Sequence, residues 1–288
     1  MSFAGITTAL ITPFKEGEVD DQGLRGNIDF QIEEGVDNLL LLGTTGEGNF
    51  LSEEERKRVI AIALEEGKGR ASLMLSCGDV STKRSISKVI QAEKMGVNGV
   101  LVIAPYYCRP TQEGLFRHFQ EIAKNTSLPI IIYNHPKRTG VEIELETVKR
   151  LADIQNIVGI KDASGSIAYG ASVIAALPDF LFLAGDDLMA LPTSVIGAAG
   201  LVSVLSNLMP RKMKELIETQ DCTLYQKLYP FISMSQIETN PVPIKAMMKL
   251  IGLSAGECRL PLTSLSKVNH NKLRDLLLNS PFIEAAAL

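Results

Sequence analysis

Cysteine and histidine are both scarce in this chain, and their spacing excludes several kinds of site. The cysteines lie far apart and form no Cys-x-x-Cys pair, which argues against a disulfide framework or a zinc site and favours reduced cytosolic thiols. The histidines show no metal-ligand spacing, so we expect no metal. These residues are Cys77, Cys108, Cys222 and Cys258, and His118, His135 and His270.

An excess of positive charge and a long apolar run are missing as well. The 29 Lys and Arg residues against 33 Asp and Glu residues give a net charge of −4, whereas a nucleic-acid partner would require a basic face. No apolar run reaches membrane-spanning length. The N-terminus enters a strand-like stretch at once, without the pattern of a signal or transit peptide. We therefore expect a cytoplasmic protein that binds neither nucleic acid nor membrane.

What the sequence does have is a series of short, β-branched apolar runs. They are continuous rather than alternating, which is typical of parallel strands covered on both faces. The runs occupy residues 5–14, 36–43, 72–78, 99–107, 129–136, 156–164, 180–187 and 200–207. Segments with helical period lie between them, and one of these opens with the capping-box pair Ser52 and Glu55 and closes at Gly67. Eight such units predict an α/β protein, a (β/α)8 TIM barrel.

The strand signal stops after residue 220, and the remaining sequence has a helical pattern. We therefore predict a catalytic barrel over residues 1–220 and a C-terminal helical extension over residues 221–288. No low-complexity linker separates the two, so the extension should pack on the barrel.

In such barrels the functional residues lie where strands end and the following loops begin. This rule selects one group of side chains at a common mouth. The group consists of Thr44, Thr45, Tyr106, Tyr107, Tyr133, Arg138 and Lys161.

Lys161 ends the apolar run at residues 157–160, and two interpretations are open. It is either a strand-end lysine that pairs with Asp162 or reaches solvent, or it is a nucleophile. Burial disfavours the charged form and lowers a lysine pKa. The neutral amine can then attack a carbonyl and form a Schiff base.

The other candidates also have a structural and a functional interpretation. The sequence "GTTGEG" at 43–48 is either a flexible turn or, through its amides and hydroxyls, a site for a small carboxylate; it matches no nucleotide-binding pattern. Tyr133 is either a core residue or a proton shuttle beside the lysine. Tyr106 and Tyr107 face opposite ways, so only one should enter its own barrel mouth, and the pair also suits interface packing. Arg138 is either a solvated charge or a clamp for a second carboxylate.

These residues together resemble the dihydrodipicolinate synthase branch of the pyruvate-dependent class I aldolase family. The resemblance runs nearly from end to end. Its motifs are "ALITPF", "GTTGEG", "APYYCRPTQEGLFRHF", "LPIIIYNHPKRTG", "NIVGIKDASG", "LAGDD", "NPVPIKAMM" and "RLPLTSLS". The family fold is the same barrel with a helical C-terminal region, usually a homotetramer built as a dimer of dimers.

The resemblance implies a role for each catalytic residue. Lys161 would form the Schiff base with pyruvate, and Tyr133 would donate and accept protons. Thr44 and Tyr107 would complete a proton relay, with one tyrosine of the pair crossing from the neighbouring subunit. The residues implied in substrate binding are Thr45 for the pyruvate carboxylate, Arg138 for the carboxylate of aspartate semialdehyde, and Gly185 and Val202 as pocket lining.

The implied reaction is condensation of pyruvate with L-aspartate 4-semialdehyde to 4-hydroxy-tetrahydrodipicolinate, on the route to lysine and diaminopimelate, without a cofactor. A sugar-acid aldolase is a rival, and Arg138 argues against it. A non-catalytic binding barrel is disfavoured by the complete catalytic set. A pyridoxal phosphate enzyme would need a phosphate cup beside Lys161, and none is evident. His135 departs from the family, which usually has a small apolar residue there.

Overall fold

Eight parallel strands close into a barrel in the computed structural model, which describes residues 3–280 and 282. Each strand pairs with its neighbours in sequence, and the last pairs with the first, with Gly5 opposite Gly200. The strands are β1 Gly5–Ala9, β2 Asn38–Leu41, β3 Ser72–Ser76, β4 Gly99–Ile103, β5 Ile130–Asn134, β6 Ile157–Asp162, β7 Leu181–Ala184 and β8 Gly200–Ser203. The predicted TIM barrel is confirmed.

Helices connect the strands and cover the outside of the barrel. They are α1 Asp21–Glu33, α2 Glu53–Gly67, α3 Thr82–Met95, α4 Gln112–Ala123, α5 Pro136–Thr139, α6 Leu145–Ala152, α7 Ile167–Ala176, α8 Ala190–Val195 and α9 Pro210–Thr219. Two 3-10 turns lie at Asp187–Met189 and Leu205–Asn207, and a small hairpin pairs Phe14–Lys15 with Glu18–Val19. Helix α2 begins with the predicted capping box, in which Ser52 accepts from the Glu55 amide and the Glu55 side chain accepts from the Ser52 amide.

Three further helices follow the barrel, as the sequence predicted. They are α10 Cys222–Met234, α11 Val242–Leu250 and α12 Lys267–Leu278. Backbone and side-chain hydrogen bonds tie the segment after α11 to the barrel, because the Phe14 amide donates to Ala255 and the Asn27 side chain donates to Ser254. The extension therefore packs on the barrel. Its division into a separate unit stays a prediction, and residues 1, 2, 281 and 283–288 lie outside the described residues.

The core has two layers, because successive side chains of a strand point to opposite faces. One layer lies between the strands and the helices. The other fills the inside of the barrel with Phe3, Ala9, Leu40, Met74, Leu101, Ile131, Tyr133, Ala163, Leu183 and Val202. Within the residues that the structure describes, no helix has the length and apolar character needed to cross a membrane.

Candidate active site

The barrel opens at the carboxyl ends of its strands into one cavity of about 650 Å³. Its walls come from the loops after strands β2 through β8 and from the segment between α10 and α11. Most of the sequence-predicted site residues meet in this space. Those that line the cavity are Thr44, Thr45, Tyr106, Tyr133, Arg138, Lys161 and Gly185.

Lys161 lies at the centre of the site, near the end of β6. It is only 6% exposed, and its register partner on β5 is Tyr133. The Lys161 Nζ atom lies 4.2 Å from the centroid of the Tyr133 ring. Gly185 leaves space for the lysine stem, since a Cβ there would lie 2.9 Å from Lys161 Cε. Burial lowers the pKa of Lys161 to about 7; the charge of Asp187 opposes this and the charge of Arg138 adds to it.

Asp162 is not the partner of Lys161, although it is the next residue. Its carboxylate accepts from Asn134 Nδ2 at 2.7 Å and from Ser164 Oγ at 2.7 Å. Lys161 makes no ion pair within the part of the chain that the structure describes. The interpretation of Lys161 as the partner of Asp162 is therefore wrong, and the lysine is a buried amine near its neutral form at physiological pH.

Tyr133 and His135 form the wall beside the lysine. Burial raises the pKa of the Tyr133 phenol, although the charge of Arg138 opposes the effect, so the hydroxyl keeps its proton at neutral pH. The two rings tilt against each other with centroids 5.6 Å apart. Burial, with further contributions from Arg138 and Lys161, lowers the pKa of His135 to about 4. His135 therefore adds a neutral ring to the site.

The glycine-rich turn, residues 43–48, follows β2 and presents both threonines to the cavity. Thr44 is exposed there, whereas Thr45 is buried. The Thr45 hydroxyl accepts a hydrogen bond from Asn240 Nδ2 at 2.9 Å. Its proton is thus free to be donated to a carboxylate in the cavity.

The two adjacent tyrosines face different ways, but not through strand alternation as predicted, because β4 ends at Ile103 and both lie in the loop that follows. Tyr106 lines the cavity of its own barrel, whereas Tyr107 is 93% exposed. Tyr107 also has a φ of 71°, in the left-handed region that residues with a Cβ seldom adopt. Its side chain is therefore displayed outward and does not line the cavity of its own chain.

Arg138 and Val202 occupy different levels of the barrel. Arg138 belongs to α5, directly after β5, and its exposed side chain lines the outer part of the cavity beside Lys137. Val202 points into the barrel interior, where it packs in the same buried layer as Tyr133. The cavity wall at β8 comes instead from Val204. Val202 thus supports the cavity floor and is not among the residues that line it.

The sequence and the fold were compared with those of known proteins. The family model for the dihydrodipicolinate synthetase family matches residues 2–280. The chain belongs to this family. A 4-hydroxy-tetrahydrodipicolinate synthase from Protochlamydia amoebophila is 42% identical, and the match covers 98% of each chain.

Solved structures of dihydrodipicolinate synthases have the same fold. The enzyme from Aquifex aeolicus superimposes with a TM-score of 0.94 at 39% identity and covers 98% of this chain and 100% of its own. The enzyme from Acinetobacter baumannii, solved in complex with pyruvate, gives a TM-score of 0.95 at 36% identity, with 98% and 100% of the two chains covered.

The site also contains an acidic residue that the sequence did not predict. Asp187 follows β7 in the "AGDD" motif, is buried, and lines the cavity. Its Oδ2 accepts from the amides of Val204 at 3.0 Å and Leu205 at 2.8 Å. Burial raises the pKa of this carboxyl to about 6. The available signal was a second acid directly after an apolar strand, since such a group needs a partner inside the fold.

Proposed function

We propose that this chain condenses pyruvate with L-aspartate 4-semialdehyde to 4-hydroxy-tetrahydrodipicolinate, in lysine and diaminopimelate biosynthesis. The observation that carries the proposal is Lys161, a buried amine with a pKa near 7 in register with Tyr133. Family membership and the pyruvate-bound relative support the identity of the first substrate.

The chemistry begins with the neutral amine of Lys161, which attacks the C2 carbonyl of pyruvate. Loss of one water gives an imine, and loss of a proton from the methyl group gives an enamine. The enamine carbon attacks the aldehyde carbon of the semialdehyde, and the resulting alkoxide takes a proton. The substrate's own amine then attacks the imine carbon, closes the ring and releases Lys161. One water leaves overall.

Tyr133, in the cavity wall beside Lys161, carries out the proton transfers. Tyr133 keeps its proton at neutral pH, so it can donate to the departing hydroxyl and to the alkoxide. Thr44 and Tyr107 extend this relay to solvent. Thr45 and the amides of the glycine-rich turn bind the pyruvate carboxylate, and Gly185 leaves room for the imine.

The relay requires a second copy of the chain, because Tyr107 points away from the cavity of its own barrel. A tyrosine from a neighbouring subunit fills this role in a dimer. The larger homotetramer, a dimer of dimers, and the cytoplasmic location stay predictions.

The direct test of this proposal is to trap the imine. Borohydride reduction with pyruvate should add one reduced pyruvate per chain, mapped to Lys161 by mass spectrometry. The initial rate of trapping should rise with pH around a midpoint near 7, because only the neutral amine reacts and burial lowers the lysine pKa to about 7. Label on another lysine, or a rate still rising at pH 10 as for an ordinary lysine, would contradict the assignment.

The second substrate is tested at Arg138. Arg138→Ala should lower kcat/KM for aspartate semialdehyde by about 10- to 100-fold, since a charge-assisted pair contributes roughly 1.5–3 kcal/mol. Arg138→Lys keeps the charge but loses the two-pronged geometry, so it should recover only part of the loss. The adduct trapped at saturating pyruvate should stay near one per chain in both variants, and only the pH dependence of its rate should move slightly upward in Arg138→Ala, since the Arg138 charge helps to lower the pKa of Lys161. Unaltered semialdehyde kinetics in Arg138→Ala would favour a different aldehyde.

A further inference from the structure

The glycine-rich turn contains a buried acid that none of the proposed chemical steps uses. Glu47 Oε1 accepts from Lys245 Nζ on α11 at 2.6 Å, and the two side chains are 0% and 2% exposed. The other carboxylate oxygen of Glu47 accepts from the amide of Arg259 at 2.8 Å. The ion pair therefore links the turn to the C-terminal extension across 198 residues of sequence.

A contribution to the stability of the fold does not by itself explain why this ion pair is buried. Removing two charges from water costs about as much as their attraction returns, and apolar side chains of similar size often stabilise a protein equally well. A buried pair is instead well suited to fixing one geometry, because each partner is satisfied in a single arrangement.

The backbone at Glu47 needs this kind of restraint. Its φ is 52°, a left-handed conformation that is unfavourable for a residue with a Cβ. The amide of Glu47 donates to the carbonyl of Thr44 at 3.1 Å, so the strained residue closes the turn that contains both threonines. The next residue, Gly48, has no room for a side chain, since a Cβ there would lie 2.1 Å from the carbonyl oxygen of Leu42. Strained backbone of this kind persists only where the surroundings hold it.

The start of α11 holds the turn at two points. Asn240, just before the helix, donates to the Thr45 hydroxyl at 2.9 Å, and Lys245, one turn into the helix, binds Glu47. Lys245 is itself fixed by Phe14, whose ring centroid lies 4.2 Å from Nζ. A shift of the lysine would therefore release the turn beside the threonine that faces the substrate.

We propose that Lys245 is a positioning residue that, through its ion pair with Glu47, holds the glycine-rich turn in the conformation that binds the substrate carboxylate. The inference rests on the proposed function, since it concerns the pyruvate carboxylate bound by Thr45. It makes α11, outside the barrel, a part of the substrate site.

The test measures the pyruvate concentration that gives half-maximal borohydride-trapped adduct. Lys245→Met should raise this concentration about tenfold, whereas the adduct formed at saturating pyruvate should stay near one per chain. The matched control is Lys249→Met on the same helix, whose ammonium binds Glu257 at the surface. It should match the wild type.

A second variant distinguishes a positioning role of Lys245 from a purely stabilising one. It also provides the test if Lys245→Met does not fold. In Glu47→Gln/Lys245→Met both charges of the pair are removed and no unpaired charge stays buried, so Tm should recover towards the wild-type value. The half-saturating pyruvate concentration should stay raised, because the clamp is still absent.

The outcomes distinguish the two proposals. Wild-type half-saturation in folded Lys245→Met, or in the double variant, would overturn the positioning role while leaving the Schiff-base chemistry intact. Absence of an adduct on wild-type Lys161 would overturn the proposed function and the positioning role with it.

Discussion

Replacing Lys161 with methionine is expected to abolish turnover and, at the same time, to make the protein more stable at neutral pH. Turnover should be lost because Lys161 is the nucleophile of the proposed mechanism. Stability rises because folding buries an amine whose pKa falls from 10.5 to about 7. The unfolded chain binds this proton up to about pH 10.4, so the folded state bears the full cost below pH 7 and progressively less of it between pH 7 and pH 10.5.

The expected gain in the free energy of unfolding is about 1–3 kcal/mol at pH 7. It is below the limit of ~5 kcal/mol set by the pKa displacement, because methionine makes poorer contacts in a polar cavity. Calorimetry at pH 7 and pH 10 checks both the size and the trend, since the gain should shrink at the higher pH. Lys124→Met, at an exposed lysine paired with Glu121, is the control and should change Tm little at either pH. A Tm at pH 7 no higher than that of the wild type would contradict the expectation.

Tyr107→Phe is expected to lower kcat by about a hundredfold, the loss typical of a missing proton-transfer group. The fold should be unaffected, because the side chain is 93% exposed. Tyr107→Phe and Lys161→Ala chains, each nearly inactive alone, should recover activity when mixed. A mixed dimer has one site with an intact lysine from one chain and an intact tyrosine from the other, so about half of the wild-type activity should return per mixed dimer.

Differently tagged chains allow the mixed dimers to be purified before the assay. Tyr229→Phe, at a half-exposed tyrosine on α10, provides the control for loss of a surface hydroxyl and should leave kcat unchanged. Verified mixed dimers without activity would place the whole relay within one chain and remove the requirement for a second copy.

The barrel was predictable because its signals are local. Each strand is a short apolar run, and the capping box at Ser52 and Glu55 lies within four residues. The strand ends were less predictable: the run at 5–14 contributes only Gly5–Ala9 to the barrel. Beyond Ala9 the chain keeps its apolar character because Leu10, Ile11 and Phe14 are buried, and the Phe14 amide donates to Ala255 of the C-terminal extension.

The site was predictable where a polar residue interrupts a buried run. Lys161 is such a residue, and its position at a strand end was enough to suggest a nucleophile. The ion pair of Glu47 and Lys245 joins residues 198 positions apart, and Asp187 Oδ2 accepts from amides 17 and 18 residues later. Contacts of this kind depend on how the barrel closes, and no periodicity in the sequence reports them.

Lys161 and Tyr133 are register partners on neighbouring strands, and this pairing has a consequence for how the protein can change. Their separation is set by the spacing between hydrogen-bonded strands, about 4.8 Å, and does not depend on any loop. Arg138, in contrast, belongs to a four-residue helix after β5. If Arg138 binds the second substrate as proposed, mutations in that helix change which aldehyde is accepted without altering the distance between Lys161 and Tyr133. The proposed acceptor site can then change in evolution while the spacing of these two side chains is kept.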